Sequence, residues 1–203
     1  MTKLDLTKAD KAYYGAGKKP ELVELPALPY LRITGSGSPD SAAFAAAIEA
    51  IYTVAYSIKA LCKQAEQDFT VAKLEGLWWV EVDVPDPLTV PREQWQWTLL
   101  IRQPDYVTAA IAEQGLANAL NKKSHVPIGS VVFDRFHEGT CAQMLHVGPF
   151  STEPETLAVL HGFIEQQGLA IRGKHHEIYL SDFRKTAPDK LRTILRYPVS
   201  ARG

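Results

Sequence analysis

Apolar residues along the chain recur with two periods, and the changes between them mark its elements. Short alternating runs at Leu22–Leu25 and Tyr30–Thr34 have the period of a strand. Beyond Gly35-Ser36-Gly37-Ser38 the period lengthens. Phe44, Ile48, Ile51, Ala55 and Ile58 are spaced by three and four, which puts them on one face of a helix running to about Lys63. Pro39 suits the first helical position and Ser38 the N-cap. Strand patterning returns at Gly76–Asp83, bounded by Pro85, Asp86 and Pro87, and at Trp95–Arg102, stopped by Pro104. Thr108 opens a second helix to about Leu120, which the polar run from Asn121 to Ser124 closes. Strands at Val131–His137 and Thr140–Val147 follow, with Glu138-Gly139 as a tight hairpin turn. Thr152-Glu153-Pro154-Glu155 has capping-box spacing, and the helix it starts carries Leu157, Leu160 and Ile164 on one face before Gly168. Strands at His175–Ser181 and Thr193–Val199 complete the series.

The second part of this series repeats the first. A strand ending near Gly35 precedes one helix, a strand ending at Gly148 precedes another, and two strands follow each. The expected fold class is α+β: duplicated strand–helix–strand–strand halves with antiparallel sheets, helices on one face and a central ligand groove. Residues 1–27 read as an N-terminal arm and 28–203 as the domain, with halves at approximately 28–122 and 128–203.

Composition narrows the function classes. The 203 residues are enough for a core without staples, and a formal net charge of -1 with no basic stripe argues against direct nucleic-acid binding. The start MTKLDLTKADK has no apolar signal core, and no segment reads as a membrane span, so a cytoplasmic protein is expected. Cys62 and Cys141 fall within a helix and a strand, as buried free thiols rather than a disulfide.

The segment His175-His176-Glu177-Ile178-Tyr179-Leu180-Ser181-Asp182 carries the most chemistry. Alternation puts Ile178 and Leu180 on one face and Glu177, Tyr179 and Ser181 on the other. With the apolar pair under the helix, Glu177 points into the groove, either as a working carboxylate or bridged to an arginine such as Arg196. All four tryptophans, Trp78, Trp79, Trp95 and Trp97, lie on two neighbouring strands. Trp78 would face the helix and Trp79 the groove, beside Glu81. The tryptophans serve as core filling or as walls for a flat or cationic ligand. His175 and His176 are adjacent and point to opposite faces, and no zinc-type spacing accompanies the six histidines, so neither a metal nor a cofactor is expected. His146 is read as a hydrogen-bonded core histidine and also kept as a groove candidate. The Gly-Ser loop at 35–38 lacks the Gly-Lys-Ser/Thr ending of a phosphate loop.

Gly148-Pro149-Phe150 at a strand-to-helix junction, followed by Glu177 to Asp182, resembles the GyrI-like small-molecule-binding superfamily. Leu74-Glu75-Gly76-Leu77-Trp78-Trp79, Trp95-Gln96-Trp97 and Ile101-Arg102-Gln103-Pro104 are similar to a standalone branch that includes cyclopropanoid cyclopropyl hydrolases. The resemblance runs from about Pro20 to Val199. It implies a ligand groove in which a glutamate at the position of Glu177 contacts aromatic, often cationic, ligands. Before Tyr30 there is no two-helix pattern for a DNA-reading module, which disfavours a regulator.

Two functions follow as expectations. One is hydrolysis of a planar, electrophilic toxin, with Glu177 as general base, Tyr179 or Tyr56 as hydrogen-bond donor to the ligand, and Trp79, Trp95, Trp97, His146 and Phe150 as binding residues. The alternative is a protein that sequesters aromatic or cationic drugs without chemistry.

Overall fold

The computed structural model describes residues 3–82, 89–123 and 126–202. Among them the helices are α1 (Leu6–Ala9), α2 (Lys11–Tyr14), α3 (Ala42–Gln64), α4 (Ala109–Leu120) and α5 (Glu153–Gln166). The strands are β1 (Glu21–Leu25), β2 (Leu28–Ser36), β3 (Leu74–Trp79), β4 (Gln96–Arg102), β5 (Val132–Phe136), β6 (Gly139–Val147), β7 (Leu169–Ile171), β8 (His175–Tyr179) and β9 (Arg192–Ala201). The class is α+β with antiparallel sheet pairing, as the patterning requires. The chain folds as two units, Met1–Ala9 with Leu28–Phe136, and Asp10–Ala27 with His137–Gly203.

In the first unit the strand order is β3-β4-β2-β5. The register pairs Leu31 with Ile101, Ile33 with Leu99, Gly35 with Trp97 and Trp78 with Trp97, so these side chains share one face. Helix α3 covers that face with Phe44, Ala47, Ile51, Val54 and Ile58, all buried. Its cap is Ser41, whose hydroxyl accepts from the Phe44 amide, and not Ser38; Pro39 and Asp40 lie in the preceding turn. By length and composition α3 reaches what a membrane span needs, contrary to the sequence expectation, yet its apolar stripe is part of this core. Helix α4, capped by Thr108 as expected, packs on α3 where Gly115 leaves room for Ile58. The proposed strand terminus at Asp83, the prolines after it and Ser124 lie outside the described residues.

The second unit repeats that connectivity. Strand β6, helix α5 and strands β8 and β9 give the order β6-β9-β8, as β2, α3, β3 and β4 give β2-β4-β3. Each first strand also gains an outer neighbour: β5 on β2 in one unit, β1 on β6 in the other. The expected hairpin at Glu138-Gly139 does not form, because β5 pairs with β2 while β6 pairs with β1 and β9. Helix α5 lays Leu160 and Ile164 on Ala142, Met144, Leu195 and Val199. The opposite face is closed by the 10–27 segment, where Tyr13 stacks under the Arg196 guanidinium at 4.5 Å. Arg196 there bonds Gln143 Oε1 (2.7 Å from Nη2) and the Tyr13 carbonyl (2.8 Å), and Glu138 accepts from His176 at 2.9 Å. Gly168, at φ +68°, ends α5 in the left-handed conformation that favours glycine. Short β7, which the patterning missed, then pairs with the end of β9.

Candidate functional site

Strand β8 puts its odd-numbered residues on the face covered by α5. Glu177 pairs with Leu195 and Tyr179 with Thr193, while Met144 and His146 pair with the same two residues of β9 from the other side. This inverts the sequence assignment, which placed Ile178 and Leu180 under the helix. Ile178 instead pairs with Ile194 on the face of Arg196 and Tyr13. The inference failed because it assumed one covered face. Both faces of this sheet are covered, so a buried isoleucine does not mark the helix side. The bridge between Glu177 and Arg196 is absent, since the two residues lie on opposite faces.

Three titratable side chains converge beside the first turn of α5. A carboxylate oxygen of Glu153, a ring nitrogen of His175 and a carboxylate oxygen of Glu177 all lie within 4.8 Å of one another. His175 Nε2 is 3.1 Å from Glu177 Oε1, and their side chains are only 14% and 13% exposed. Glu153 is the first residue of α5 and is buried, and its Oε1 has no hydrogen-bond partner. Burial, and then the neighbouring charge of Glu177, push the Glu153 carboxyl up to about 10. The capping box expected at its flank is not made: the Thr152 hydroxyl donates to the Pro149 carbonyl (2.9 Å) instead of capping α5.

Aromatic rings bracket these carboxylates. Tyr197 packs on His175 (4.9 Å between centroids) and on His161 of α5 (5.1 Å). Burial, followed by the negative charges of Glu177 and Glu153, raises its phenol above the usual value. Tyr179, two residues beyond Glu177 on the same face, meets Phe150 at 6.0 Å and Phe183 at 5.7 Å in edge-on contacts. Phe150 is 41% exposed, so this trio is open to solvent on one side.

His146 is not free to receive a ligand. Its Nδ1 meets the Thr156 hydroxyl at 2.8 Å, and its Nε2–H donates to the Pro149 carbonyl at 3.1 Å. That carbonyl can only accept, which fixes the hydrogen on Nε2. The histidine thus ties the strand end to the start of α5 and holds Phe150 and Glu153 in place.

The remaining sequence candidates belong to the first unit. Trp97 is buried against Phe44 (5.1 Å) with Trp78 (5.5 Å from Phe44) beside it, and Trp95 packs edge-on against Trp78 at 6.0 Å. The Trp95 indole N–H donates to the Val90 carbonyl, and the Arg92 guanidinium covers the ring. Trp97 is therefore a helix-side core residue, because the antiparallel register groups it with Trp78, and Trp95 packs on that cluster partly buried. Trp79 points to the opposite face, where its indole N–H donates to Glu81 Oε1 at 2.8 Å. Tyr56 lies on α3, 57% exposed and stacked on Tyr52.

Sequence reasoning missed Glu153, His175, Tyr197 and Phe183 as members of the site. His175 and Glu177 had a legible signal, since residues two apart on a strand share a face. Glu153 had none, because its approach to Glu177 is tertiary.

The model of the GyrI-like small molecule binding domain matches residues 98–200. An uncharacterized conserved protein from Listeria innocua is 42% identical, with a TM-score of 0.90, over 98% of this chain and 100% of that one. A hydrolase from Listeria innocua is 41% identical over the same shares, with a TM-score of 0.86. The EcmrR C-terminal domain shares the fold alone, at 12% identity and a TM-score of 0.58, over 91% of this chain and 98% of that domain. No curated protein matches with significance.

Proposed function

We propose that this chain, which belongs to the GyrI-like small molecule binding domain family, hydrolyses a planar, electrophilic aromatic compound at Glu177. The observation that carries this reading is a carboxylate, 13% exposed, set between aromatic side chains and paired with a histidine rather than an arginine. A carboxylate in such a place can serve as the acceptor of a proton from water, and flat rings beside it suit a flat ligand. The hydrolase from Listeria innocua supports a reaction over simple sequestration.

In the proposed step the substrate carries a strained cyclopropane conjugated to a carbonyl. Glu177 accepts a proton from water while the water oxygen bonds to a ring carbon. The ring C–C bond breaks, and its electron pair moves through the conjugated system to the carbonyl oxygen, which then takes up a proton. Tyr179, on the same face of β8 as Glu177, is assigned to stabilise that oxygen. The net change is addition of one water, with no oxidant or cofactor.

The test follows a cyclopropane-bearing indole alkylator by mass spectrometry with a catalytic amount of protein. Formation of the water adduct by the wild type, and its loss in Glu177→Gln with binding retained, is the expected result. Stoichiometric binding without conversion by the wild type would replace hydrolysis with sequestration. Wild-type turnover by the variant would remove Glu177 from the mechanism.

A further inference from the structure

Glu153 and Glu177 put two carboxyl groups together where water has little access, and the fold offers them incomplete compensation. His175 reaches Glu177 at 3.1 Å. Even if that imidazole carries a charge, it answers one carboxylate. Glu153 is 7% exposed, its Oε1 is buried without a hydrogen-bond partner, and no arginine or lysine forms an ion pair with it among the described residues. A buried carboxyl in that condition is costly unless a further species occupies the site.

A proton or an organic cation would relieve the charge, but neither needs the third donor. The imidazole is what distinguishes the cluster. Two carboxylates and one histidine nitrogen form a donor set for mid-sized divalent transition metals, and they leave positions open for water. Metal–ligand distances of about 2.1 Å separate neighbouring donors by roughly 3 Å. The pair His175 Nε2 and Glu177 Oε1, 3.1 Å apart, already has that spacing, and one ligand atom from each of Glu153, His175 and Glu177 lies within 4.8 Å of the other two. The second His175 nitrogen, Nδ1, is buried without a partner.

The supports are rigid. His175 and Glu177 alternate on one strand whose register with β9 is fixed, and Glu153 is locked at the start of α5 by the Pro149–Thr152 turn and His146. We propose that Glu153, His175 and Glu177 form a three-ligand site for a divalent transition-metal cation such as Zn2+ or Mn2+. The histidine spacing alone gave no such indication, because the set is completed by carboxylates from two elements.

The test uses the full chain, freed of metal by chelation and carrying no histidine tag. It is dialysed against ZnCl2 or MnCl2 and its metal content measured. One equivalent bound by the wild type is expected, with affinity reduced at least about tenfold in Glu153→Gln and in His175→Ala. The exposed-histidine variant His137→Ala serves as the surface control and should bind as the wild type does. Because a variant could fail to fold, Co2+ is also added to the wild type. Visible absorption bands of a nitrogen- and oxygen-ligated ion at one equivalent support the site, and the spectrum of the free aqueous ion overturns it. No uptake by the wild type, or uptake unchanged in folded Glu153→Gln and His175→Ala, overturns it as well. The outcome separates from the hydrolytic reading, since no organic ligand is present. Failed uptake by the wild type, with Glu177→Gln still inactive as a hydrolase, removes the metal site alone; uptake by the wild type, with Glu177→Gln still turning over, removes the hydrolytic role alone.

Discussion

The two units share one connectivity and differ most at one place. In the first, the helix-facing residues of β3 are Leu74, Gly76 and Trp78, which join an apolar core under α3. In the second, the corresponding residues of β8 are His175, Glu177 and Tyr179, of which His175 and Glu177 meet Glu153 at the start of α5. The same strand position thus supplies packing in one unit and polar chemistry in the other. The first turn of the helix follows suit: Phe44 packs on Trp78 and Trp97, whereas Glu153 stands beside Glu177. The difference concerns the helix-covered face: the same framework carries apolar packing there in one unit and three titratable side chains in the other.

The sharpest way to break this comparison is to empty the apolar member. Trp97→Ala should cost about 3–5 kcal/mol in urea unfolding, because the indole fills the space over Gly35 and against Phe44. A cost below about 1 kcal/mol would show that the first unit does not depend on that cluster.

The next largest effect lies on the far face of the second unit. Burial alone would raise the Glu138 pKa, but His176 and then Arg196 outweigh it and hold it below the usual value. A carboxyl with a lowered folded pKa contributes stability that is present above its unfolded value and lost as pH falls through the folded one. Unfolding followed from neutral pH into acid should therefore show stability falling below about pH 4.5, the ordinary glutamate value. Glu138→Gln should cost about 3 kcal/mol at neutral pH and flatten that acid limb, since it leaves the Arg196 charge without its anion. An unchanged acid limb would remove Glu138 as its source.

Glu153 should behave in the opposite sense. Glu153→Met removes a buried carboxyl without replacing a satisfied one, and should stabilise the metal-free chain by about 1 kcal/mol while abolishing metal uptake. Destabilisation would mean that the carboxyl is structural. The smallest effect concerns helix caps. Ser41→Ala should cost about 1 kcal/mol through the lost cap of α3. Thr152→Ala should leave the backbone cap of α5 unaffected, because its hydroxyl binds Pro149; a larger loss than Ser41→Ala would indicate that the turn holding Glu153 depends on it.

The elements were legible wherever hydrophobic period and punctuation agreed. The α3 stripe from Phe44 to Ile58, the Thr108 cap and the stop at Gly168 follow from local chemistry. Pairing was less legible. Glu138-Gly139 has the composition of a hairpin, but the chain leaves the first unit after Phe136, and Glu138 is buried in an ionic cluster of the second unit with His176 and Arg196. The facing of β8 was illegible for a related reason. Alternation separates Glu177 from Ile178 but does not say which of them meets the helix when the 10–27 segment covers the other side. Glu177, Tyr179 and Phe150 could be singled out from sequence, and they fall on one face or one cluster of the second unit. Their partners Glu153, Tyr197 and Phe183 come from other elements and carry no spacing signal.

On the proposed function, the chemistry belongs to Glu177 in the polar cluster of the second unit and not to the apolar cluster around Trp78 in the first. The direct measurement is formation of the water adduct of a cyclopropane-bearing indole alkylator, compared among the wild type, Glu177→Gln and Trp78→Phe, each confirmed folded. At least about a hundredfold loss of rate in Glu177→Gln, the scale of a lost general base, is expected, with a rate near wild type in Trp78→Phe. Wild-type turnover by Glu177→Gln, with Trp78→Phe inactive, would contradict it.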